Sequence, residues 1–460
     1  MAHRTLVINV VGLNASLIGD ASPRLRAFRD GAHVSHLVPD LPAVTCTSQA
    51  SMLTGAMPAA HGIVGNGWYD RDLADVQFWK QSNHLVRGPK VWETARSRDA
   101  SVTCAKMFWW YNMYSSADWS VTPRPIYKAD GRKIPNVYAH PAGLDDALQR
   151  ELGRFPLFNF WGPAASIAST TWIAESTMRV DERFDPTLTL VYLPHLDYAL
   201  QKLGPDHPDV PAQVAAVDAV VGRLLDHFEA RDVRVMIVSE YGIEPVDRAV
   251  SINRVLRDDG HLAVRVEDGR ELLDPGAGAA FAVADHQIAH VYVNDASRVD
   301  TVRTLLESTA GIAAVLDRDA QRGLGLDHAR AGELLAVASP ASWFAYRYWE
   351  DDARAPDFAR TVDIHRKPGY DPLELFIDPA LSLPRARIAW TLLKKKLGFR
   401  SLLEVIPLDP SLVRGSHGRV DLPASRRPLL MHRCPGAARD ASLPMQSVHD
   451  VILAHLFDGD

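Results

Sequence analysis

Three stretches of the 460-residue chain carry side-chain types and spacings that could do chemistry together. Two are apolar runs that close on a carboxylate: Val238-Ser239-Glu240-Tyr241-Gly242 and Leu193-Pro194-His195-Leu196-Asp197. Carboxylates just past the carboxyl ends of neighbouring strands can converge above a sheet. Their mutual repulsion then calls for a cation or a proton between them. A helix cap or a loop position is the plainer use of each. The third stretch, Pro42 to Gly55, opens with Thr45-Cys46-Thr47-Ser48, and Ala50 to Gly55 reads as the first turns of a helix. A hydroxyl at a helix N-terminus can attack an electrophile while nearby amides hold anionic oxygens, with a simple N-cap as the alternative. Cys46 is a second candidate nucleophile, provided its thiol pKa is lowered.

Histidines form three local groups: Asp285-His286 with His290, Asp363-Ile364-His365, and Gly415-Ser416-His417-Gly418. In extended backbone Asp363 and His365 face the same way, which suits a shared metal or a carboxylate orienting an imidazole. The glycines beside His417 allow close backbone approach to a ligand. The polar run Asp363 to Pro372 has no evident structural purpose, so it is a candidate source of metal ligands. The aromatic run Met107 to Tyr114 could wall a pocket for a flat group or fill core. Lys394-Lys395-Lys396, beside Leu392, Leu393 and Leu397, could touch anionic lipid or phosphate, or could be a solvated helix face.

Short apolar runs must position these groups. Leu6–Val11, Leu188–Leu193 and Val233–Ser239 lack strict alternation and read as interior parallel strands. Asp197 to Pro211 reads as a polar loop, and Pro211 to Arg231 as an amphipathic helix. Ile288–Val293 and Leu334–Val337 are further strands with a helix over Ser297–Ser308 between them, and Met445–Phe457 is a last helix. The expected architecture is an α/β fold with a mostly parallel central sheet, helices on both faces, and functional groups at strand carboxyl ends. Residues 128–162 and 343–393 read as insertions that cap the sheet of one domain spanning 1–460.

Composition narrows the class. A net charge of -6 argues against a nucleic-acid polymer as partner, and 47% hydrophobic residues argue against extended disorder. Three widely spaced cysteines, Cys46, Cys104 and Cys434, make no disulfide framework and point to a reducing compartment, the cytoplasm. No run approaches the roughly 18 apolar residues of a membrane span.

The order of these blocks resembles the nucleotide pyrophosphatase/phosphodiesterase branch of the alkaline phosphatase superfamily. The family's Pro-x-x-Thr, Thr-Gly and His-Gly-Ile-Val-x-Asn elements match Pro42, Thr45, Thr54-Gly55, Pro58 and His61-Gly62-Ile63-Val64-Gly65-Asn66. Further matches are Tyr192 to Pro205, Ser239-Glu240-Tyr241-Gly242 at the family's Ser-Asp-His-Gly, and Gly415 to Gly418. The resemblance implies an alkaline-phosphatase-like fold and a phosphoester or phosphoanhydride hydrolase acting on a small phosphorylated substrate. Thr45 would be the nucleophile, and Tyr241 and Asn66 substrate-binding positions. The family's paired zinc ions are only partly provided for. Asp197 and His417 are retained at ligand positions, but Val11, Gln201 and Tyr241 replace an aspartate and two histidines, and Glu240 replaces a second aspartate. The expectation is one rebuilt divalent-metal site, zinc by family habit, with Asp197, Glu240, Asp363, His365 and His417 as ligands. A degenerate phosphate-ligand binder, or a different reaction on a biosynthetic intermediate, is the alternative.

Overall fold

The computed structural model describes residues 2–129 and 132–458, so 130 and 131 of the first insertion lie outside the described residues. In chain order the elements that build the site are β1 (Thr5–Val10), α1 (Thr45–Thr54), β2 (Leu188–Leu193), α2 (His195–Leu203), α3 (Val210–Glu229), β3 (Arg234–Val238), β4 (Ala280–Asp285) and β5 (Ile288–Val293).

Among the described residues, nine strands form the main sheet. Its order is Ser442–Pro444, His33–Val38, Leu429–His432, β3, β1, β2, Cys104–Met107, Trp119–Pro123 and Val137–His140. The centre, from β3 through Trp119–Pro123, is parallel. Leu429–His432 and Val137–His140 join it antiparallel. All six residues of β1 are buried, so the middle of the sheet is covered on both faces, as the continuous apolar run demands. Burying Val7, Ile8 and Val10 contributes about 1.5–3 kcal/mol each. Val10 pairs with Leu193 and Asn9 with Val238, so β1, β2 and β3 end at one level. Their carboxyl ends therefore deliver Val11, Pro194 and Ser239-Glu240-Tyr241 to the same edge, where sites on such sheets form.

The segment after β2 departs from the expected loop. His195–Leu203 is a helix, α2, followed by a short turn before α3. Leu196 and Leu200 pack inward four residues apart, and Gly204 ends the helix. Asp197 and Gln201 also lie on the buried side, which masks the apolar stripe by which a helix is recognised. Helix α1 likewise begins earlier than expected, at Thr45, and stops at Gly55, whose φ of 66° suits glycine.

A second, four-stranded antiparallel sheet has β4, β5, Leu334–Ala338 and Ile312–Leu316 as neighbours in that order. The β4–β5 turn consists of His286 and Gln287, with His286 in the left-handed region at φ 63°. The Gln287 amide donates to the His417 carbonyl at 2.8 Å, tying this turn to the edge of the main sheet.

Candidate active site

Thr45 is the first residue of α1, and its side chain lies over the carboxyl ends of β2 and β3. Its hydroxyl is 2.9 Å from the Tyr241 hydroxyl, which in turn donates to Asp197 Oδ1 at 3.2 Å. Gln201 follows Asp197 by four residues on α2 and donates Nε2–H to Asp197 Oδ2 at 2.9 Å. The Tyr370 hydroxyl donates to Gln201 Oε1 at 2.8 Å. A continuous hydrogen-bonded line thus runs from Thr45 through Tyr241, Asp197 and Gln201 to Tyr370.

A stack of rings runs alongside this line. Tyr241 lies flat on His417 with centroids 3.6 Å apart, His417 meets His286 at 3.6 Å, and His286 meets Tyr370 at 3.7 Å. His417 donates Nδ1–H to the Ala43 carbonyl, leaving Nε2 without a hydrogen-bond partner and 3.7 Å from Asp197 Oδ1. Glu240 is fully buried and accepts from Asn9 and Gln49 on one oxygen, each at 2.6 Å, while its other oxygen has no partner.

Burial sets the charges here. It pushes the Asp197 carboxyl up to about 7 against the hydrogen bonds from Gln201 and Tyr241, and Glu240 up to about 8. Burial likewise pulls the His417 imidazole down to about 3 and holds the Tyr241 phenol well above its ordinary value. Burial thus makes both carboxyl groups take up a proton more readily than exposed carboxylates do, Glu240 more so than Asp197.

Asn66 is buried, and its polar atoms face protein. Its Oδ1 accepts the Cys46 amide at 3.0 Å, and its own amide and Nδ2 donate to Asp285. Asn66 and Asp285 thus hold the first turn of α1 in place. Cys46 is buried too, and desolvation raises its thiol well above the ordinary value, which is unfavourable for a nucleophile.

Asp363 and His365 do not join this group. Asp363 faces Lys133 at 3.6 Å, and its amide donates to Glu374. His365 sets Nδ1 against the Phe78 carbonyl and lines a surface groove of about 660 Å³ whose walls include none of Thr45, Asp197, Glu240, Tyr241 or His417. The polar run around them has a structural purpose: buried Lys367 pairs with Asp371 at 2.6 Å and Glu374 at 2.8 Å. The Asp285/His286/His290 group divides as well. Asp285 holds Asn66, His286 joins the ring stack, and His290 bonds the Val64 carbonyl and the Gly332 amide.

The donors present do not fit a family-type zinc centre. Asp197 and His417 meet, but the third position, Gln201, spends both ends of its amide on Asp197 and Tyr370. At the other centre Val11 offers no donor, and the Tyr241 hydroxyl stands between Thr45 and Asp197 with its ring against His417. Among the described residues no three His, Cys, Asp or Glu side chains converge as metal ligands. Zinc needs about four donors, and this set closes no such shell.

Reading the residues singly overlooked Asn9 and Gln49, which hold Glu240, and Tyr370, which closes the ring stack. An Asn inside an apolar strand was the available signal for the first, and spacing of one helical turn from Thr45 for the second. Of the aromatic run, Phe108 and Trp109 are core, whereas half-buried Trp110 packs on Trp79 at 4.8 Å. Trp79 and Trp161 flank Tyr370 at 6.0 and 5.8 Å, forming an aromatic wall beside the site.

Comparison with known proteins identifies the fold and the family. Murine ectonucleotide pyrophosphatase/phosphodiesterase 5, solved with AMP, superposes with a TM-score of 0.59 at 14% identity, covering 100% of this chain and 96% of that one. Phosphonoacetate hydrolase from Sinorhizobium meliloti, solved with phosphonoformate, gives 0.59 at 14% identity over 98% and 96%. At such identity the likeness concerns the fold, which is that of alkaline-phosphatase-like α/β proteins. An uncharacterized pyrophosphatase/phosphodiesterase of Schizosaccharomyces pombe is 25% identical over 252 residues, 52% of this chain and 44% of its own. Ectonucleotide pyrophosphatase/phosphodiesterase 1 of Saccharomyces cerevisiae is 24% identical over 285 residues, 55% and 35% respectively. The matched region thus spans less than half the length of either curated relative. The family model for type I phosphodiesterase/nucleotide pyrophosphatase matches residues 5–371, from β1 through Tyr370 and Asp371, and the chain belongs to that family.

Proposed function

We propose that the chain hydrolyses a phosphoester or phosphoanhydride bond of a small phosphorylated molecule, with Thr45 as nucleophile and the Tyr241–Asp197 pair as proton acceptor. The observation that carries this reading is the Thr45–Tyr241–Asp197 hydrogen-bonded line at the N-terminus of α1. As the Thr45 oxygen attacks phosphorus, its proton passes to the Tyr241 oxygen while Tyr241 gives its own to Asp197. The leaving oxygen departs with the bonding electron pair. Water then opens the phosphothreonine, its oxygen bonding to phosphorus as the Thr45 oxygen leaves. The two protons return along the same line, and the proton that water loses goes to solvent, balancing the departed leaving-group anion. The helix N-terminus favours the anionic phosphoryl group, and a protonated Glu240 avoids repelling it.

AMP, bound in one structural neighbour, is a phosphate ester of the proposed class, and phosphonoformate, bound in another, is a small phosphonate. Trp79, Trp110 and Trp161 offer flat apolar surface to a planar leaving group. The buried free cysteines suit a reducing compartment, the cytoplasm. The replacements at Val11, Gln201 and Tyr241 favour a second reading, a phosphate-ligand binder without turnover.

Acid quenching during turnover of bis(p-nitrophenyl) phosphate, followed by peptide mass spectrometry, separates the two. The expected product is a p-nitrophenyl phosphoryl group on the peptide bearing Thr45, with one p-nitrophenolate released per adduct. Release of p-nitrophenolate with Thr45 unmodified at every time point contradicts the nucleophile. Ligand binding with no release at all establishes the binder.

A further inference from the structure

Helix α4 spans Pro384–Lys396, and among its residues only Thr391 is buried. Leu383, just ahead of it, is followed by Ala386, Trp390, Leu393 and Leu397, alternating three and four residues apart, so they share one face. The inward side is carried by Ile388 and Thr391, which point away from that stripe. Leu383 is 78% exposed, Trp390 59%, Leu397 65% and Phe399 64%. Such a stripe on a soluble surface calls for a partner.

Charge identifies the partner. Residues 383–402 carry Arg385, Arg387, Lys394, Lys395, Lys396 and Arg400 and no Asp or Glu, with Glu404 just beyond them 3.7 Å from Arg387, in a chain whose net charge is -6. At 100° per residue, Arg387 and Lys394 flank the apolar stripe on one side and Arg385 and Lys396 on the other. The surface continues onto the Ile126–Tyr127/Lys133–Ile134 hairpin, where Ile126 and Tyr127 are exposed. Arg400 donates to the Ala129 carbonyl, and Lys133 stands over the Tyr127 ring at 5.9 Å. Face-to-face docking of a second copy would oppose the same cations. An apolar stripe bordered by cations, with Trp and Phe beside it, has the layout of a helix lying in a bilayer interface.

We propose that α4 and the adjoining hairpin dock the protein peripherally on an anionic lipid surface. The apolar stripe enters the acyl boundary and the flanking Lys and Arg meet the headgroups. Lipid binding uses none of the residues of the Thr45 site, so it stands independently of the proposed activity.

The test is co-sedimentation of the full chain with vesicles of phosphatidylcholine alone and of equimolar phosphatidylcholine and phosphatidylglycerol. Binding to the anionic vesicles only, released by high salt, is expected. The variant Lys394→Gln/Lys396→Gln, at the positions that border the stripe, should weaken partitioning about thirtyfold. A nitrobenzoxadiazole group on Leu397→Cys should brighten and shift to the blue with anionic vesicles. Absence of binding overturns the proposal, as does binding without a change at position 397. Inorganic phosphate competing at low concentration would show a free-phosphate site instead, and lipid-independent sedimentation a self-association face.

Discussion

Thr45→Ala is expected to lower kcat for aryl phosphodiester hydrolysis by about 10⁴-fold or more while leaving thermal stability nearly unchanged. The substitution removes the attacking oxygen. The hydroxyl's neighbours are Tyr241, which keeps its bond to Asp197, and Glu240, which keeps its bonds from Asn9 and Gln49. The helix start tolerates the change because its cap residue is Val44, in extended backbone. Cys46 offers no substitute nucleophile, since it is buried with its thiol pushed far above the ordinary value and its amide is held by Asn66. Steady-state kinetics beside a melting curve decide the matter. A rate within tenfold of wild type would transfer the attack from Thr45 to water.

The largest effect on stability is expected at Lys367. Its ammonium is buried between Asp371 and Glu374, both buried as well. Lys367→Met leaves two carboxyl groups without their cation and should cost about 3–5 kcal/mol in urea unfolding. Adding Asp371→Asn and Glu374→Gln should restore much of the loss, because it is uncompensated charge that is penalised. Burial pulls the Lys367 ammonium down, but attraction to the two carboxylates prevails and raises it above its ordinary value of 10.5. The folded state therefore binds this proton more tightly than the unfolded chain does. The stabilisation is fully present below the unfolded value and is lost as pH rises through the folded one. A Lys367→Met chain as stable as wild type would contradict this account of the loop.

That loop shows where sequence reading stops. Thr45, Asp197, Glu240 and His417 were placed together by the resemblance of their motifs, in order, to those of the phosphodiesterase family. Burial of whole strands made β1, β2 and β3 legible from their apolar runs. The run from Asp363 to Pro372 read as a source of metal ligands because a buried ion pair and a metal site both draw on clustered acidic residues. Only tertiary contact distinguishes them. Helix α2 was hidden for a related reason, since a polar site on its buried face breaks the apolar period. The ring stack of Tyr241, His417, His286 and Tyr370 joins four distant segments and leaves no periodic trace.

The decisive measurement is hydrolysis of bis(p-nitrophenyl) phosphate by chain treated with chelator and shown by elemental analysis to be free of zinc and other divalent metals, wild type beside Tyr241→Phe. If hydrogen bonding through Tyr241 does the work, the metal-free wild type turns over at the rate of untreated protein. Tyr241→Phe then falls by about 10²–10⁴-fold in kcat with little change in KM. Loss of activity on chelation, restored by zinc and indifferent to Tyr241→Phe, would contradict it.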